Sequence, residues 1–202
     1  MDEEWSNKTI INNLKNPCLK AAADKVLSPS LNKTFNKLIQ GVFGKNDKVN
    51  LILVEGETNG NLGKTQASQD GSIINVTTTL DPNVFVGASQ EYIASTIIHE
   101  AFHGIRRVYY QNYLMDHFVM FNTSLLDLSA SLKAAFPSLS DADATDLILK
   151  GILALDLSVN PINGEFSPAV VDQVIGHAGS TRSRIANTVQ RFSTTSSGTP
   201  CN

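Results

Sequence analysis

His99 and His103 flank Glu100 in the pentad His99-Glu100-Ala101-Phe102-His103. Histidines four residues apart stand one turn apart on one face of a helix, where their imidazole nitrogens reach a single metal ion. Glu100 stands one step round the helix from His99. There it reaches a water on the metal without being a ligand, as the general base of a metal-dependent peptide hydrolysis must. Two surface histidines on an amphipathic helix do not need a glutamate at the second position. The pattern points to zinc, with His99 and His103 as ligands and Glu100 as the base.

The surrounding residues read as the helix that presents them. At about 100° per residue, Ile93, Ala94, Ile97, Ile98, Ala101, Phe102, Ile105 and Val108 fill one apolar arc. His99 and His103 point the other way, flanked by Tyr92, Thr96 and Tyr110, which predicts a helix backed on the core and showing its histidines to a cleft.

Catalytic zinc keeps three protein ligands and a water. Two further histidines exist, His117 and His177. A metal helix that continues about two turns, reverses near Gln111-Asn112-Tyr113 and returns as a second helix brings His117 back toward the metal. In residues 114–136 the stripe Leu114, Phe118, Phe121, Leu125, Leu128, Leu132 and Phe136 is apolar; His117 borders it and Asp116 falls nearly opposite. His117 is therefore the expected third ligand, with Asp116, Glu165 and His177 as the alternatives.

Residues 8–42 have helical spacing, interrupted at Ser28-Pro29. Val49 to Val54 and Ile73 to Leu80 are β-rich runs, and the Gly-, Asn- and Gln-rich stretch between them is a loop or a short edge strand. Helices are expected over 89–110, 114–136, 140–157 and 167–191, with Ser140 and Ser167 as N-caps. Helix, small sheet, then helices is an α+β order rather than a doubly wound one. It predicts a single domain over residues 1–192 and a flexible C-terminal tail over 193–202.

Two other motifs are dismissed. Gly63-Lys64-Thr65 lacks the earlier glycine of a phosphate loop, since that position is Thr58. Asp141-Ala142-Asp143-Ala144-Thr145 lacks the glycine and the last acid of a calcium loop, where Asp146 and Ile152 stand; acids after a Ser cap suit a helix start instead.

The formal charge of −3 gives no footprint for nucleic acid, and Arg182, Arg184 and Arg191 read as a solvated helix face. No apolar run is long enough to span a bilayer, and Met1 to Asn13 shows no signal-peptide core. Cys18 and Cys201 are either unrelated thiols or a bridge stapling the tail to the N-terminal helix. The bridge is preferred, because a cysteine in so polar a tail has little packing role; it would favour an exported protein in an oxidising compartment.

Ala88 to Gly104 resemble the core of the SprT-like minimal zincin metallopeptidases, particularly the H-E-A-x-H domains common in Bacteroidetes, often parts of larger secreted or toxin-like proteins. The preceding Ser72-Ile73-Ile74-Asn75-Val76 fits too, and the resemblance covers roughly residues 45–155. It implies a small mixed sheet packed on the metal helix with a mostly helical C-terminal half. It implies zinc held by His99, His103 and His117, and a protein or peptide substrate aligned on an edge strand at residues 72–79. An oxyanion donor is expected among Tyr92, Tyr110, Tyr113, Arg106 and His177. The implied activity is zinc endopeptidase. The alternatives are a zincin-like binding module with little turnover, or a secreted toxin or effector peptidase domain of a larger protein.

Overall fold

In a computed structural model of the chain, which describes residues 9–110, 116–153, 168–194 and 196–201, four strands form one mixed sheet. β1 (Ile10–Asn12) and β2 (Val49–Glu55) are parallel, and β4 (Ile73–Leu80) lies parallel to β2 on its other side. β3 (Gly63–Asp70) closes the far edge antiparallel to β4. Inward-facing residues alternate as a half-covered sheet requires: Val49, Leu51 and Leu53 on β2, and Val76, Thr78 and Leu80 on β4.

Two strand expectations need correction. Ile10 and Ile11 do not begin a helix; they pair with Leu51 and Ile52. A β-branched pair beside an open sheet edge takes the extended form, overriding its helical spacing. Residues 72–79 are not an edge strand either, because β4 is paired on both sides. The polar segment before it folds back antiparallel and takes the edge as β3.

Helix α1 (Pro17–Val26) starts after Asn16, whose side chain accepts from the Cys18 and Leu19 amides at 2.9 and 3.3 Å. α2 (Thr34–Ile39) runs into a wide turn over Gln40–Gly44. The metal-motif helix α3 (Gln90–Tyr110) packs on the sheet so closely that a Cβ on Gly104 would lie 2.8 Å from Val76 Cγ1.

The C-terminal half is helical among the described residues: α4 (Asp116–Ala135), α5 (Asp141–Leu153), α6 (Pro168–His177) and α7 (Arg182–Ser193). Ser140 caps α5 by accepting from the Asp143 amide at 3.0 Å. Ser167 and residues 154–157 lie outside the described residues. The single helix expected over 167–191 is two. Gly179, at φ 67°, breaks it, and Thr181 caps the second by accepting from the Arg184 amide at 3.1 Å. The arginines are not merely solvated. Arg184 forks onto fully buried Asp146 with two 2.8 Å contacts, Arg191 pairs with Asp143, and Arg182 pairs with Asp172. They tie α7 to α5 and α6.

The tail is tied to α3. Thr199 donates through its amide and hydroxyl to the buried Glu91 carboxylate at 2.8 and 2.7 Å, and its carbonyl accepts from the Gln90 amide at 3.0 Å. Cys201 bridges to Cys18 on α1, with Cα atoms 5.2 Å apart. The staple spans 183 residues, so the chain-entropy account gives it about 5 kcal/mol, an upper figure. Thermal unfolding with and without reductant should differ by about 10–20 °C at this chain size. Identical melting of the oxidised and reduced forms would contradict this.

Candidate metal centre

Three side chains from two helices converge. His99 and His103 come from successive turns of α3, and His117 from the first turn of α4. The Nε2 atoms of His103 and His117 lie 3.0 and 3.4 Å from His99 Nε2. One ligand atom from each of the three falls within 4.8 Å of the others. Three nitrogens at 2.0–2.1 Å from a tetrahedral ion stand about 3.3 Å apart, so the three histidines are placed to hold a metal ion. The reversal expected near Gln111-Asn112-Tyr113 falls outside the described residues, but its consequence, His117 facing His99, does not.

The histidine face of α3 is less open than its polarity suggests. Tyr92 and Thr96 are each only 6 % exposed, and His117 is buried. The wheel shows which residues lie opposite the sheet, whereas the second layer of helices decides what covers them. α5 lies against this face, and a Cβ on Gly151 would come 3.2 Å from His99 Nδ1. The missing side chain lets α5 pass behind the ring.

His99 Nδ1 is buried and has no hydrogen-bond partner. The residue keeps some solvent contact, yet burial pushes its pKa well below the usual histidine value, and the charges of His103, His117 and Lys150 push it further. A neutral imidazole is the form that ligates metal.

Lys150 of α5 sets its Nζ 4.3 Å from the centre of the Tyr92 ring. Burial lowers this amine from 10.5 to about 7 and raises the Tyr92 phenol to about 12. Below pH 7 both the folded and unfolded states carry the Lys150 charge, and burying it costs stability in full. Between about 7 and 10.5 the folded amine is neutral while the unfolded one is not, so the cost shrinks as pH rises. Lys150→Met should therefore be more stable than wild type at pH 7, with the advantage fading toward pH 10.5 in denaturant melts. A difference constant across that range would refute the assignment.

Glu100 is buried, and Thr65 of β3 donates to its Oε2 at 2.7 Å. A Cβ on Gly63 would come 2.7 Å from Glu100 Cγ. The stretch Gly63-Lys64-Thr65, rejected as a phosphate loop, thus shapes the space around the motif glutamate. No periodicity or spacing marks Thr65, Gly151 or Lys150 in the sequence.

The remaining candidates separate. His177 ends α6 in an exposed position and is not in the cluster. Arg106 is half-buried on α3, one turn past His103. Tyr113 and Glu165 lie outside the described residues, as do the side chains of Tyr110 and Asp116. No helix among the described residues is long and apolar enough to cross a membrane. Comparison with protein-family models, curated proteins and solved structures gives no match.

Proposed function

We propose that this chain is a zinc-dependent endopeptidase with a zincin-like fold. The observation that carries the reading is the convergence of the His99, His103 and His117 Nε2 atoms beside the helix position that bears Glu100. Imidazole donors suit several transition metals. Zinc is favoured because three histidines leave a fourth position open and a neighbouring carboxylate is present to take a proton.

When bound there, zinc acidifies a water molecule and polarises a carbonyl. The protein supplies the rest. Glu100 accepts the proton of the attacking water and passes it to the leaving amine nitrogen. The outer edge of β3, unpaired with any strand among the described residues, lies beside α3 and suits an extended substrate added as a further strand. The Cys18–Cys201 bridge favours an oxidising compartment.

A second reading has one observation behind it. His117 and Glu100 are 8 % and 7 % exposed, and burial of this degree suits a metal held for stability or binding with little turnover. Metal content and cleavage of an unstructured protein, measured together, separate the two. About one equivalent of zinc with cleavage that metal removal abolishes supports the peptidase. Tight zinc with no cleavage supports the binding module, and no bound metal overturns both.

A further inference from the structure

Glu100 is held from the sheet. Thr65 Oγ1 lies 2.7 Å from Glu100 Oε2, 3.2 Å from the Glu100 carbonyl oxygen and 2.8 Å from Thr78 Oγ1. Thr65 and Thr78 face each other across the β3–β4 ladder, and both are buried, at 4 % and 1 %. A hydroxyl carries one proton. When Thr65 gives its proton to the acceptor-only carboxylate, its own oxygen is left to accept, and Thr78 is placed to donate to it. The order Thr78 to Thr65 to Glu100 makes the inner bond charge-assisted.

The other side of the carboxylate is shaped by an absence. A Cβ on Gly63 would lie 2.7 Å from Glu100 Cγ and 3.1 Å from Oε1. One strand therefore both ties Oε2 and clears the space beside Oε1. A glutamate has three side-chain torsions, and an unrestrained one spreads its carboxylate over several rotamers. A proton acceptor works only when held within hydrogen-bond reach of the proton it takes.

Building on the peptidase reading above, we infer that the Thr78–Thr65 hydroxyl pair is a positioning device that fixes Oε2 of Glu100 and presents Oε1 to the reacting water. Thr65 touches neither metal nor substrate in this assignment and acts only through Glu100. The edge strand that would align the substrate is thus the same element that aligns the base.

The test compares Thr65→Val, Thr65→Ser and Thr78→Val with wild type. Zinc stoichiometry, melting temperature and the kcat and KM for an unstructured protein are measured for each. Valine keeps the shape and loses the hydroxyl; serine keeps the hydroxyl. Thr65→Val should retain about one zinc and the wild-type KM while kcat falls about 10–100-fold. Thr65→Ser should recover kcat to within about 3-fold, and Thr78→Val should fall between. The melting shifts of Thr65→Val and Glu100→Ala, each of which removes the bond, should be non-additive in the double variant, a readout that needs no turnover.

A wild type that cleaves while Thr65→Val keeps its kcat overturns the positioning role and leaves the peptidase reading intact. Loss of kcat that serine does not restore also overturns it, because packing then accounts for the effect. Non-additive melting shifts in a protein that cleaves nothing overturn the peptidase reading, and with it the role in catalysis, leaving a structural hydrogen bond. Should Thr65→Val fail to fold, Thr78→Val decides, since it weakens the same chain one bond further out.

Discussion

Glu100→Gln is expected to keep the fold and the metal while losing peptide cleavage by about 10²–10⁴-fold or more, the usual contribution of a positioned proton acceptor. Glutamine has nearly the same shape, so the space beside Gly63 still accommodates it, and its amide oxygen still accepts from Thr65. What it lacks is the ability to take a proton. The metal stays because the cluster of nitrogens does not include Glu100. Zinc analysis of the purified variant, with kcat/KM on an unstructured protein, checks both halves. Equal cleavage by wild type and variant would remove Glu100 from the mechanism, and loss of zinc from Glu100→Gln would make it a ligand instead.

His117→Ala is expected to weaken zinc binding by orders of magnitude, while Asp116→Ala leaves zinc and stability nearly unchanged. Two imidazoles on one helix turn hold a metal poorly, and the third donor closes the site. His117 is buried with its Nε2 3.4 Å from that of His99, the place a third donor needs. Competition against a chelator of known affinity reads the loss directly. Full zinc occupancy in His117→Ala would eliminate it as a ligand and return attention to Asp116, Glu165 and His177. His99→Ala and His103→Ala should behave like His117→Ala, which makes the three variants a consistent set.

The helix that carries the histidine pair was legible because its signal is local. A 3.6-residue repeat of apolar positions determines that Ile97, Ile98, Ala101 and Ile105 are buried together, and they are. The same geometry puts His99 and His103 on one face whatever surrounds them. His117 was reachable with one further assumption, that the chain reverses soon after α3, because its place beside the apolar stripe of α4 separates it from Asp116. In so polar a tail a bridge gives Cys201 more purpose than packing does, and Cys18 and Cys201 are joined.

Elsewhere local pattern misled. Ile10 and Ile11 sit at helical spacing with Leu14, yet the open edge of β2 draws them into a strand. Polar residues 63–70 read equally as a loop or a short edge strand, and only pairing with β4, which satisfies their backbone, makes them the edge. The arginines of α7 look like a solvated face until α5 brings Asp143 and Asp146 against them.

By itself, then, the sequence determined what repeats along one element: the α+β order, the core face of α3, the histidine pair and the glutamate between them. The tertiary structure decided what meets across elements. Thr65 and Glu100 are 35 residues apart, and Thr199 and Glu91 are 108 apart. No periodicity encodes such pairs, because each partner obeys the pattern of its own strand, helix or tail. They meet only when apolar burial has stacked those elements, and hydrogen bonds then select among the polar groups that burial leaves facing one another.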